Sequence, residues 1–125
     1  MRDEPQVQLL LAEDDEDLRG LVATTLRREG YEVLEAADGA EALELADRHE
    51  PALALLDINM PRVDGVEVAE RLRANGRRTP VMFLTVNTRR AEIDRALGTG
   101  PAAYIVKPFQ LDRLRDQVRG ILQAA

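Results

Sequence analysis

The chain contains no cysteine, which excludes a disulfide framework and a thiolate metal site. No apolar run approaches the roughly 18 residues that a membrane-spanning helix needs. Arg2, Asp3 and Glu4 leave no room for a secretory signal at the start, so a cytoplasmic protein with no membrane association is expected. Excess basic charge is also missing, since 23 acidic against 17 basic side chains give a formal charge of −6. Direct nucleic acid binding needs a basic face to neutralise phosphates and is therefore not expected. The pairs Arg27-Arg28, Arg77-Arg78 and Arg89-Arg90 read as solvated helix ends or loops. There is no internal repeat, linker or low-complexity tract. The 125 residues suit one domain with one core, expected to span about residues 7–122.

What is present is a regular alternation of short apolar runs and amphipathic stretches. The first strand is expected over Val7 to Ala12, closed by Glu13-Asp14-Asp15. Asp15 or Asp17 can cap the next helix, whose apolar face reads Leu18, Leu21, Val22, Thr25 and Leu26, with Gly30 as its stop. A second strand is expected over Tyr31 to Ala36. Asp38-Gly39 then turns into a helix with Ala42, Leu43, Leu45 and Ala46, ending before Pro51.

The third strand, Ala52 to Asp57, is apolar without alternation, which suits the centre of a parallel sheet covered on both faces. Asp64-Gly65 opens a third helix with Val66, Val68, Ala69 and Leu72, stopped near Asn75-Gly76. A fourth strand runs from Pro80 to Leu84 and ends at Thr85. Thr88 or Asn87 is the expected cap of a fourth helix with Ile93, Ala96 and Leu97. Ala103 to Val106 gives a fifth strand. Leu111, Leu114, Val118, Ile121 and Leu122 mark a final helix.

Five strand–helix units predict an α/β fold, a flavodoxin-like, doubly wound, five-stranded parallel sheet in the order 2-1-3-4-5 with five helices. The switch point of that order lies between the first and third strands. Glu13 and Asp14 would then meet Asp57 in one crevice, with Thr85 and Lys107 arriving from the fourth and fifth strand ends. Three carboxylates in one crevice repel one another unless neutralised. An all-oxygen site that keeps some water suits Mg²⁺. A metal, an ammonium and a hydroxyl around one carboxylate are what phosphoryl transfer needs, with Asp57 as an in-line nucleophile forming an acyl phosphate.

Taken singly, these residues have plainer readings. The acids of 13–17 favour a helix N-terminus, Asp57 could cap a loop, Lys107 could snorkel, Thr85 could end a strand and Tyr104 could pack half-buried. None of these explains four polar groups converging on one sheet edge.

Four pieces together carry a family resemblance: Leu-Leu-Ala-Glu13-Asp14, Asp57-Ile-Asn-Met-Pro61 with Asp64-Gly65, Thr85, and Lys107-Pro108-Phe109. From Val7 to Leu122 the chain resembles the response-regulator receiver domain of two-component signalling. The resemblance implies that Asp57 is the phosphoacceptor. It also implies that Asp14 ligates Mg²⁺ directly, that Glu13 assists through water and that Asn59 lends its backbone carbonyl. Thr85 and Lys107 would hold the phosphoryl oxygens, Tyr104 would be the switch aromatic, and the Lys107-Pro108 bond would be cis. Asn59, Val86 and Asn87 fall at positions that tune access to the site.

Val86 departs from the small residue usual there. Gly100-Pro101-Ala102-Ala103 lacks the two acids common in that loop, and Gln117 replaces a common arginine; those charges help build one subfamily's dimer face. The single histidine, His49, reads as surface, so the phosphodonor would be another protein, a histidine kinase or a histidine phosphotransfer protein. A downstream protein partner or an output domain outside this sequence would read the signal.

Three other functions compete. A Mg²⁺-dependent phosphatase with an aspartyl nucleophile would usually carry a second acid at position 59, where this chain has asparagine. A flavodoxin-like cofactor binder needs a phosphate loop where Glu13-Asp14-Asp15 stands. A non-phosphorylated, receiver-like binding platform would keep the fold and drop the chemistry.

Overall fold

The computed structural model describes residues 6–86 and 89–124. Five parallel strands, β1 (Gln8–Ala12), β2 (Glu32–Ala36), β3 (Leu53–Asp57), β4 (Val81–Thr85) and β5 (Ala103–Val106), lie in the order β2-β1-β3-β4-β5. Helices α1 (Glu16–Arg28), α2 (Gly39–Arg48), α3 (Gly65–Ala74), α4 (Arg90–Leu97) and α5 (Leu111–Ala124) connect or follow them. The fold and strand order match the expectation.

The central strands β1, β3 and β4 are apolar apart from Gln8, Asp57 and Thr85 at their ends, because both faces are covered. Leu10, Ala12, Ala54, Leu56, Val81 and Phe83 face α2, α3 and α4, where Ala42, Ala69, Leu72 and Ala96 meet them. Their neighbours Leu9, Leu11, Leu53, Leu55, Met82 and Leu84 face Val22 and Leu26 of α1 and Leu114 and Val118 of α5. The side-chain period of two thus fills two cores from one run of sequence.

Three helix starts are fixed by aspartate caps. Asp15, Asp38 and Asp64 accept from the backbone N–H groups of Leu18, Glu41 and Glu67. Of the two candidates for α1, Asp15 is the cap. At α4 the expected caps Asn87 and Thr88 lie outside the described residues. The N-cap position falls to Arg89, whose side chain has no acceptor to offer.

Two apolar positions were misassigned by pattern. Leu21 is 56% exposed, because at about 100° per residue it lies across α1 from the buried stripe of Val22, Ala23 and Leu26. Leu97, at the last turn of α4, is also largely exposed. Two polar positions are less solvated than expected. His49 is half-buried at the end of α2, and its carbonyl accepts from half-buried Arg77 at 3.2 Å. Among the described residues no helix is long and apolar enough to cross a membrane.

Candidate functional site

Register carries the acids together. Ala12 pairs with Leu56, so Glu13, one step beyond, comes level with Asp57 at the carboxyl edge of the sheet. The N–H of Glu13 donates to the carbonyl of Ala36 at 3.0 Å, which extends β1 toward β2 and directs the glutamate side chain inward. Glu13 is fully buried, Asp57 is 3% exposed and Thr85 2% exposed, whereas Asp14 is exposed. Ligand oxygens of Glu13, Asp14 and Asp57 lie within 4.8 Å of one another.

Lys107 closes the other side. Its backbone N–H donates to the carbonyl of Thr85 at 2.7 Å, fixing where the chain leaves β5. Its Nζ lies 2.6 Å from Glu13 Oε1 and 3.2 Å from Asp57 Oδ2. The contact with Glu13 is the shorter of the two ion pairs. The other oxygens are served by backbone. Glu13 Oε2 accepts from the Asp15 N–H at 3.1 Å, and Asp57 Oδ1 accepts from the Asn59 N–H at 3.2 Å.

Electrostatics follow from two buried carboxylates facing one ammonium. Burial, reinforced by the negative charge of Glu13, pushes the Asp57 carboxyl up to about 7 against the opposing pull of Lys107. Burial works against the Lys107 ammonium, yet the adjoining Glu13 and Asp57 hold its pKa above the usual lysine value. The donor set therefore lacks positive charge. Three hard oxygen donors, two of them buried and one facing solvent, fit a hydrated divalent cation such as Mg²⁺.

The model for the response regulator receiver domain matches residues 9–119. The chain belongs to the receiver-domain family of response regulators. This receiver domain is 44% identical over 108 residues to the transcriptional regulatory protein PdtaR of Mycobacterium tuberculosis, covering 86% of this chain and 52% of that protein. It is 39% identical over 117 residues to the transcriptional regulatory protein TctD of Salmonella typhimurium, covering 94% and 52%. The receiver domain thus spans about half the length of the curated relatives it matches. Among solved structures it is similar to the chemotaxis response regulator CheY4 of Vibrio cholerae, at TM-score 0.86 and 30% identity, covering 94% and 99% of the two chains. The signal receiver domain of the response regulator NarL from Mycobacterium tuberculosis matches at TM-score 0.86 and 30% identity, covering 98% and 100%.

The remaining site positions expected from sequence are placed as follows. The Lys107-Pro108 peptide is cis. Tyr104 is 48% exposed and borders a narrow cleft lined by Thr85, Phe83, Ala96 and Leu97. Val86 is 60% exposed just past Thr85, and Asn87 lies outside the described residues.

Sequence reasoning missed three arginines around the site. Arg19 of α1 donates to the Glu13 carbonyl at 2.8 Å and pairs with Glu35 of β2 at 3.3 Å. Arg62 pairs with Asp38 at 2.6 Å. Arg95 of α4 reaches Asp64 and Glu70 at 3.1 and 3.2 Å. No local pattern flags these pairs, because their partners are 16 to 31 residues away in sequence.

Proposed function

We propose that Asp57 accepts a phosphoryl group from a phosphohistidine on a histidine kinase or histidine phosphotransfer protein. The observation that carries this reading is the pairing of buried Asp57 and Glu13 with the single ammonium of Lys107 at the end of β3. Glu13, Asp14 and Asp57 would hold Mg²⁺ with the backbone carbonyl of Asn59. The bound ion would offset carboxylate repulsion and screen the negative charge of the incoming phosphoryl group. An Asp57 carboxylate oxygen attacks phosphorus, the P–N bond breaks, and its electron pair leaves with the imidazole nitrogen. Lys107 and the Thr85 hydroxyl take the phosphoryl oxygens of the resulting acyl phosphate. Water later hydrolyses that bond, so the only reactions catalysed are the domain's own phosphorylation and dephosphorylation.

The added charge pulls Thr85 toward the phosphoryl group and opens the cleft beside it to Tyr104. The altered surface of α4, β5 and α5 is then read by a downstream protein partner or an attached output domain. Asn59, Val86 and Asn87 set how readily water reaches Asp57. In this reading residues 7–122 form one receiver domain working in the cytoplasm.

The deciding experiment is intact mass after incubation with acetyl phosphate, with and without Mg²⁺, on wild type and Asp57→Ala. One phosphoryl group that requires both Mg²⁺ and Asp57 supports the proposal. A folded protein that gains nothing under any condition is instead a binding platform.

A further inference from the structure

The loop between β3 and α3 delivers the Asn59 carbonyl and the N–H that holds Asp57, and it contains an unusual turn. The Val63 N–H donates back to the Pro61 carbonyl at 2.8 Å, and Arg62 between them has φ 69°. This is the left-handed γ-turn, a rare and strained conformation for a residue with a side chain. Such strain persists where surroundings enforce it. At the loop's far end, a Cβ on Gly65 would stand 2.1 Å from the Asp57 carbonyl oxygen, so α3 begins pressed against the strand end itself. At its near end the β2–α2 turn does the enforcing. Arg62 donates to Asp38 Oδ2 at 2.6 Å, while Asp38 Oδ1 caps α2 through the Glu41 N–H at 2.8 Å. A Cβ on Gly39 would stand 1.9 Å from the Val63 carbonyl oxygen, so the two turns touch backbone to backbone.

We propose that Asp38, Gly39 and Arg62 form a positioning brace that holds the Asn59 loop in the shape needed to bind the cation beside Asp57. The inference rests on the reading of Glu13, Asp14, Asp57 and Asn59 as the Mg²⁺ site. Arg62 touches neither cation nor phosphoryl group in this account; it acts by fixing the turn. The pair spans two loops 24 residues apart, and its carboxylate side is the sheltered one, with Asp38 18% and Arg62 67% exposed.

The test is calorimetric titration of MgCl₂ into wild type, Arg62→Ala, Asp38→Asn, Arg62→Lys and the Arg62→Ala/Asp38→Asn double variant. It is run at pH 8 and constant ionic strength, beside urea unfolding without Mg²⁺. Asparagine keeps a capping oxygen for α2, so Asp38→Asn removes the ion pair and not the cap. The brace predicts that both single variants weaken Mg²⁺ binding, by roughly three- to fivefold, the range a partly exposed ion pair can supply. It predicts that the double variant is no weaker than either single one, because both break the same contact. Arg62→Lys should stay within about twofold of wild type, since the ammonium can still meet Asp38. Net charge alone predicts opposite signs, with loss of Arg62 tightening the cation and loss of Asp38 loosening it. Opposite signs, additive losses or unchanged affinities each overturn the brace. A wild type that binds no Mg²⁺ while folded overturns the cation site itself, which is a separate result.

Discussion

At Asp57 the sheet edge imposes a conflict, a buried carboxyl beside a second buried carboxyl, that costs the fold stability. An unfolded aspartate titrates near 3.9, and burial beside Glu13 carries the folded value to about 7. Between those values the folded chain holds more protons than the unfolded one, so stability falls as pH rises from about 4 to 7. Asp38 runs the other way: its backbone bond from Glu41 and its Arg62 partner lower its pKa, so its contribution fades only as pH falls through the acid range. Urea midpoints between pH 5 and 8 without Mg²⁺ should therefore decline in wild type. Asp57→Asn should flatten the decline and be the more stable protein at pH 8. Adding Mg²⁺ should restore wild type at pH 8 far more than at pH 5, because the cation competes with the proton for the same oxygens. Parallel curves for the two proteins would remove Asp57 as the source. Val86 is a separate matter at the same scale. Its exposed, branched side chain sits one residue past buried Thr85, and Val86→Ala should speed loss of the phosphoryl group by giving water a wider path. Stability should change by no more than about 0.5 kcal/mol, as for other surface positions. Phosphoryl half-life by intact mass and a urea curve read the two effects apart.

The secondary elements were legible because each carries its own signal: a two-sided apolar run for the inner strands, and an aspartate before α1, α2 and α3. Convergence of Glu13, Asp14, Asp57, Thr85 and Lys107 was legible as well, since strand order alone brings those ends together. The surroundings of the site were not. Arg62 and Arg95 carry no signal in the sequence, because ion pairs between distant segments leave no periodicity to read. Leu21 was misread since an apolar residue at helical spacing need not face the sheet. Glycines divide along the same line. Gly20 sits inside α1 with open space where a Cβ would go, so Gly20→Ala should stabilise by about 0.5–1 kcal/mol through helix propensity. Gly39 also sits in a helix, but its missing Cβ is the room occupied by Val63. Gly39→Ala should destabilise by about 1–3 kcal/mol as the turns are forced apart. Thermal midpoints of the two variants should move in opposite directions, although sequence alone presents them as the same substitution.

Stability across the whole molecule is uneven, and the unevenness falls on the face proposed to carry the signal. Helix α3 buries five residues and α1 three, whereas α4 buries Ala96 alone and starts after a residue with no capping acceptor. Apolar contact at Ala96, with Ile93 and Leu97 along the cleft beside Ile58 and Phe83, is joined by ion pairs. Arg95 reaches Asp64, the cap of α3, and Glu70 nearly two turns further along. Those two acids raise the pKa of Arg95, in keeping with a guanidinium held between them. A helix with one buried side chain opens locally at low free energy while the sheet stays closed. Amide hydrogen exchange should therefore show α4 losing protection ahead of α1, α3 and α5. Arg95→Ala should quicken exchange in α4, and in the first turn of α3 through Asp64, while the global urea midpoint shifts by less than about 1 kcal/mol, the ceiling for exposed ion pairs. If α4 instead exchanges with the sheet, its anchoring is cooperative with the core. The surface change on phosphorylation would then involve the whole fold, whereas a loosely held α4 can move alone and leave the cores on both faces intact.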